Sequence, residues 1–142
     1  MSDAQPFMNL QNAPMGQGET VLCIEDDPAI RQLMVQLLKR FNYQALMATN
    51  ATEGLSQWKL YRSAISAVVS DRDLGLDRDG ISLLREFGAE KPSAALILMS
   101  AALDQGVIET LHRTTRIRCL RKPFSLNEFL PLLRQALDER VL

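Results

Sequence analysis

Histidine is almost missing from this chain: His112 is the only one among 142 residues, and there are two cysteines, Cys23 and Cys119. One imidazole and two thiols in separate apolar runs provide neither zinc-ligand spacing nor a disulfide framework. Both cysteines read as buried free thiols, and His112, between Leu111 and Arg113 near the end of an expected helix, reads as a surface residue. No apolar run approaches the roughly 18 residues that cross a bilayer, and no basic segment followed by an apolar core opens the chain. No membrane insertion is expected, and a cytoplasmic location is. Charge of one sign is lacking too: 16 Lys and Arg against 17 Asp and Glu leave a net charge of -1, with no basic run. Nothing here makes the electrostatic footprint of a nucleic-acid binder.

What is present fits one domain. With 46% hydrophobic and 23% charged residues, 142 residues can bury a core of their own. Residues 1–18, with Pro6, Pro14, Gly16 and Gly18 and no sustained period, read as a disordered tail or linker, leaving 19–142 as the domain. Short apolar runs then alternate with helical periodicity. Val21-Leu22-Cys23-Ile24 reads as a buried strand. Asp27-Pro28 caps a helix with the stripe Ile30, Leu33, Met34, Leu37, Leu38 and Phe41. Residues 43–48 form a second strand, and Asn50 with Glu53 imitates a capping box before the stripe Leu55, Trp58 and Tyr61. The run Ala67-Val68-Val69-Ser70-Asp71 reads as the central strand, followed by a loop to Asp79-Gly80 and a helix with Ile81, Leu84 and Phe87.

Residues 94–99 form a fourth strand ending at Ser100, Val107, Ile108 and Leu111 mark a weaker helix, and Cys119-Leu120 is a very short strand before Lys122-Pro123. Ser125 and Glu128 cap the last helix, whose inward residues are Leu126, Phe129, Leu130, Leu133 and Leu137. Pro131 falls inside it, so that helix is either kinked, the preferred reading, or starts later than its cap signal. Strands and helices alternating in this way make a parallel sheet covered on both faces, an α/β three-layer sandwich.

The chemistry lies at the strand ends, because all carboxyl ends of a parallel sheet share one rim. Glu25, Asp26, Asp71, Ser100 and Lys122 can therefore converge although they are far apart in the chain. Clustered carboxylates repel unless a cation neutralises them, and oxygen ligands without His or Cys suit Mg²⁺. Lys122 can pair with one phosphoryl oxygen and the Ser100 hydroxyl can donate to another, so the set accommodates a phosphoryl group on Asp71.

These residues carry a resemblance. From Thr20 onward the chain resembles the response-regulator receiver domains of two-component signalling, of the chemotaxis-regulator kind. That family has an acid pair after strand one (Glu25-Asp26, with Asp27 following), a phosphoacceptor after strand three (Asp71), a hydroxyl residue after strand four (Ser100) and Lys-Pro after strand five (Lys122-Pro123). The resemblance implies a flavodoxin-like five-stranded parallel sheet of order 2-1-3-4-5 with five helices. It implies Mg²⁺ held by the side chains of Asp26 and Asp71 and the backbone carbonyl of Asp73, with Glu25 acting mainly through water. The implied reaction takes a phosphoryl group from a phosphohistidine, on a histidine kinase or histidine phosphotransfer protein, onto Asp71. The result is a switch rather than a turnover enzyme, signalling to an unknown downstream protein through its last two helices and last strand.

Two positions depart from the family pattern. Gly75 stands where the family has proline four residues after the phosphoacceptor, in a loop one residue longer than in chemotaxis-type receivers. Cys119 stands where it commonly has the Tyr or Phe of the conformational switch. The alternatives are a phosphorylation-independent interaction module of the same fold, suggested by Cys119, and a haloacid dehalogenase-like phosphatase, suggested by Asp71-Arg72-Asp73.

Overall fold

The computed structural model describes residues 13–75 and 78–140. The elements alternate throughout: β1 (Thr20–Ile24), α1 (Pro28–Arg40), β2 (Gln44–Ala48), α2 (Ala51–Tyr61), β3 (Ile65–Asp71), α3 (Gly80–Glu90), β4 (Ala95–Ser100), α4 (Gln105–Thr114), β5 (Ile117–Arg121) and α5 (Leu126–Asp138). The five strands form one parallel sheet of order β2-β1-β3-β4-β5. Strand side chains alternate between faces, and this sorts the apolar runs into two cores. Val21, Cys23, Val69, Ile97 and Met99 meet α1 and α5 on one face, where Met34, Leu38, Phe129 and Leu133 are buried. Leu22, Ile24, Val68, Leu96 and Leu98 meet α2, α3 and α4 on the other, where Trp58 stacks on Phe87 at 4.3 Å.

The helix starts follow local side-chain chemistry. Asp27 Oδ1 accepts from the amides of Ala29 at 2.9 Å and Ile30 at 3.3 Å, with Pro28 in the first turn. At α2, Asn50 Oδ1 accepts from Glu53 N at 2.8 Å, but the Glu53 carboxylate reaches one residue further back, to Thr49 N and Oγ1 at 2.7 Å each. The expected reciprocal box therefore becomes a two-residue clasp. A complete capping box at Ser125 and Glu128 starts α5 where its signal lies, and the helix continues through Pro131. The later start considered for this helix is thereby corrected.

Other expectations are revised. Leu33 is 50% exposed and Tyr61 46% exposed, not part of the buried stripes. At 3.6 residues per turn Leu33 lies about 90° from the middle of the arc made by Met34, Leu37, Leu38 and Phe41, at the edge of the stripe where it turns toward solvent. Cys119 is half-buried rather than buried, and β5 runs from Ile117 to Arg121 rather than over Cys119-Leu120 alone. His112 is exposed, as expected, in the last turn of α4. Of the expected tail, residues 13–18 lie along the α1–β2 turn, where Gly16 N donates to Phe41 O at 2.6 Å and Asn42 Nδ2 to Gly16 O at 2.9 Å. Residues 1–12 of that expectation, and residues 76 and 77 of the loop after β3, lie outside the described residues.

Cys23 in β1 and Cys119 in β5 are separated by β3 and β4 and pack against opposite faces of the sheet. With strands about 4.8 Å apart this is beyond disulfide reach. Mild oxidation of the folded monomer should therefore leave its mass unchanged. A species lighter by two hydrogens would contradict the strand order.

Candidate functional site

Parallel pairing brings the four polar strand ends to one rim. The Glu25 amide donates to Ala48 O at 3.0 Å, carrying the pairing of β1 past its last residue and taking the Glu25 side chain into the fold, where the residue is 0% exposed. Asp71 closes β3 in register with Met99 and is 7% exposed, while Ser100 closes β4 at 1%. The Lys122 amide follows β5 and donates to Ser100 O at 2.9 Å.

From there the Lys122 ammonium reaches inward, 2.7 Å from Glu25 Oε1 and 3.3 Å from Asp71 Oδ2. Glu25, Asp26 and Asp71 each present a carboxylate oxygen, all within 4.8 Å of one another. Glu25 and Asp71 are buried and Asp26 is exposed, so the acidic cluster opens toward solvent past Asp26. Glu25 is engaged at both oxygens, since Oε2 accepts from Asp27 N at 3.1 Å. Ser100 Oγ accepts from Ala102 N at 3.0 Å, which leaves its proton free to be donated. Asp73 is exposed in the loop after β3 and bridged to Asp79, with its backbone amide near enough to the Asp71 carboxylate to favour its charged form.

Burial dominates the electrostatics. It pushes Asp71 above the ordinary carboxylate value, against the opposing pull of Lys122 and the Asp73 amide, and the neighbouring Asp26 charge pushes the same way. Burial likewise raises Glu25, although Lys122 and the Asp27 amide hold it down in part. Burial alone would depress Lys122, but its bond to Glu25 and the charges of Glu25 and Asp71 outweigh this and raise it. Among the described residues Lys122 is the cation paired with the side chains of this cluster, through Glu25 and Asp71, against three carboxylates of which two are partly desolvated. The site carries an unbalanced negative charge and offers hard oxygen donors.

Two contributors escaped the sequence reading. The Arg31 guanidinium donates from α1 to Glu25 O at 2.9 Å and Asp26 O at 3.3 Å, fixing the acid pair from behind through its backbone. Gly80 opens α3 directly against β3: a Cβ there would lie 2.2 Å from Asp71 O and 3.0 Å from Arg72 Cα. The Gly80 amide also donates to Arg72 O at 2.7 Å. No sequence signal separates this close approach from an ordinary Asp-Gly turn. Gly80→Ala should push the start of α3 away from Asp71 at a cost of about 1–3 kcal/mol, measured by denaturant unfolding. An unchanged midpoint would mean that the loop yields freely. Gly75 needs its residue type for another reason: its φ is +80°, a backbone region closed to the proline of the family pattern.

A doubly wound sheet of order 2-1-3-4-5 with its acidic cluster at the carboxyl edge beside β1 and β3 defines a flavodoxin-like α/β domain with its site at the topological switch point. The model of the response regulator receiver domain family matches residues 21–134, and the chain belongs to that family. Among curated proteins it is similar to the sensor kinase CckA of Brucella abortus, 28% identical over 85% of this chain and 13% of that protein. It is also similar to the two-component response regulator ORR25 of Oryza sativa subsp. japonica, 33% identical over 79% of this chain and 16% of that one. The chain spans 44% of a third relative, the regulatory protein VirG of Agrobacterium tumefaciens, and so less than half of each of these three.

Among solved structures it superposes on a response regulator receiver domain protein from Clostridium thermocellum with a TM-score of 0.77 and 24% identity, over 84% of this chain and 94% of that one. The signal receiver domain of an HD domain-containing protein from Pseudomonas fluorescens Pf-5 matches at 30% identity and TM-score 0.73, over 89% and 91%. Family membership replaces the haloacid dehalogenase-like alternative raised by Asp71-Arg72-Asp73. Among the described residues no helix is long and apolar enough to cross a membrane.

Proposed function

We propose that this receiver takes a phosphoryl group from a phosphohistidine onto Asp71 in a Mg²⁺-dependent step, and that it acts as a switch rather than as a turnover enzyme. The observation that carries this reading is the Lys122 ammonium between Glu25 and Asp71, beside three carboxylates whose oxygens lie within 4.8 Å of one another. Asp26 and Asp71 would hold the cation through their side chains and Asp73 through its carbonyl, with Glu25, already bound to Lys122, acting through water. The donor set fits, because it is all oxygen, carries excess negative charge and opens to solvent. When bound, Mg²⁺ supplies charge neutralisation at the transferring phosphoryl oxygens.

The Asp71 carboxylate attacks phosphorus as the P–N bond to the donor imidazole breaks, and the imidazole leaves with the bonding pair. Lys122 pairs with a phosphoryl oxygen, Ser100 donates its hydroxyl proton to another, and water later hydrolyses the acyl phosphate. The donor would be a histidine kinase or a histidine phosphotransfer protein, in keeping with sensor proteins among the relatives, and the site would work in the cytoplasm. Output would pass through α4, β5 and α5 to a downstream protein.

A phosphorylated histidine-kinase fragment, mixed with the chain in Mg²⁺ or in excess chelator, tests the reading. Phosphoryl transfer should occur with Mg²⁺ and cease with the chelator. Transfer in neither condition would favour the phosphorylation-independent interaction module.

A further inference from the structure

The loop from β4 to α4 is held from two directions. Ala102 has both ends of its backbone engaged: its amide donates to Ser100 Oγ at 3.0 Å, and its carbonyl accepts from Arg72 Nη1 at 3.1 Å. The next carbonyl, that of Leu103, accepts from the Arg121 guanidinium. Arg72 directly follows Asp71, and Arg121 directly precedes Lys122. The backbones are tied as well, since Arg72 N donates to Met99 O at 2.8 Å and Lys122 N to Ser100 O at 2.9 Å. Both segments that bring a charged group to the rim therefore send an arginine sideways to the loop that orients the Ser100 hydroxyl.

We propose that Arg72 and Arg121 are positioning residues that hold the Ala102 and Leu103 carbonyls and thereby set the direction of the Ser100 hydroxyl relative to Asp71. This rests on the reading of Asp71 as phosphoacceptor. A serine hydroxyl can turn about its Cα–Cβ bond, and among the described residues the hydrogen bond that holds it here comes from the Ala102 amide. That amide is as well placed as the two-residue segment carrying it, whose far end is anchored by the buried Leu103 side chain. Removing a guanidinium leaves Ser100 in place but loosens the amide that aims it. The Arg72 charge also acts on Cys119 of β5, drawing its thiol down against the larger upward push of burial. The half-buried Cys119, at the position where the family pattern has its aromatic ring, thus feels the charge of the arginine that ties the phosphoacceptor segment to the loop after Ser100.

Arg72→Met and Arg121→Met keep much of the side-chain length without the donors, and Arg72→Lys restores a donor. Two measurements on the full chain decide the matter. The first is amide hydrogen exchange at Ala102 without any phosphodonor. The second is the rate of Asp71 phosphorylation by acetyl phosphate and Mg²⁺, in the Ser100 and Ser100→Ala backgrounds. Loss of one hydrogen bond of about 1 kcal/mol should speed Ala102 exchange about fivefold in each Met variant. It should slow phosphorylation by a similar factor where Ser100 is present, and by nothing further in Ser100→Ala, while Arg72→Lys recovers most of the loss. Unchanged exchange, or equal slowing in both backgrounds, would overturn the proposal. If the wild-type chain takes up no phosphoryl group, the Asp71 reading fails, and the exchange measurement alone decides whether the arginines hold the loop.

Discussion

With acetyl phosphate and Mg²⁺ the wild-type chain should gain the mass of one phosphoryl group, and Asp71→Asn should gain none. The competing acids are disqualified by what they already do. Asp27 is committed as the N-cap of α1, Glu25 is engaged at both oxygens, and Asp26 and Asp73 are exposed. Asp71 alone ends the central strand with an ammonium 3.3 Å away to neutralise the incoming group. The same substitution has a thermodynamic signature. Burial holds Asp71 above its ordinary carboxylate value, so the folded state binds its proton more tightly than the unfolded chain does.

The sign follows by linkage. Between the unfolded and folded values the native protein carries more protons, so Asp71 costs stability as pH rises through that window, and the cost is fully present above the folded value. Asp71→Asn should therefore be more stable than the metal-free wild type once pH exceeds the ordinary carboxylate value, with the gap widening as pH rises and closing as it falls to that range. Mg²⁺ at about 100 times its dissociation constant should add about 2.7 kcal/mol to the wild type and much less to the mutant. Thermal unfolding with and without Mg²⁺ checks both points. An equal rise in Tm for the two proteins would place the metal elsewhere, and a modified Asp71→Asn protein would end the assignment.

Lys122→Met should destabilise the fold by about 3–5 kcal/mol at neutral pH, a large part of the roughly 5–15 kcal/mol that holds a domain of this size together. The Lys122 side chain is 17% exposed, and its partners Glu25 and Asp71 are 1% and 10% exposed, so removing the ammonium strands two desolvated carboxylates. Both carboxyls are already raised by burial, and without the lysine they would rise further. The loss should therefore shrink as pH falls and the carboxyls protonate. Glu25→Gln in the same chain should restore part of the stability, because it removes the buried charge rather than its partner. Urea denaturation of the single and double mutants measures each step. A cost below about 1 kcal/mol for Lys122→Met would mean that water already screens the pair.

Much of this was legible in the chain itself. Helix and strand periods, Asp27-Pro28, Asp79-Gly80 and the Ser125–Glu128 box are statements about residues within a few positions of one another. Local hydrogen bonding and alternation decide such features, so the elements stand close to where they were expected. The order of the polar strand ends, Glu25-Asp26, Asp71, Ser100 and Lys122, was legible too, because a parallel sheet must place them on one rim.

Tertiary structure decided the rest. It chose Glu25 as the nearer partner of Lys122, a contact across 97 positions that depends on strand register and side-chain reach. It left Leu33 and Tyr61 in solvent, made Gly80 indispensable to the approach of α3 on Asp71, and sent Arg72 and Arg121 to the loop after Ser100. Each of these outcomes turns on distances of a few ångströms between segments far apart in the chain. Periodicity and residue type determine which face of an element is apolar and where it starts, whereas such distances exist only once the sheet has formed and the helices have packed on it.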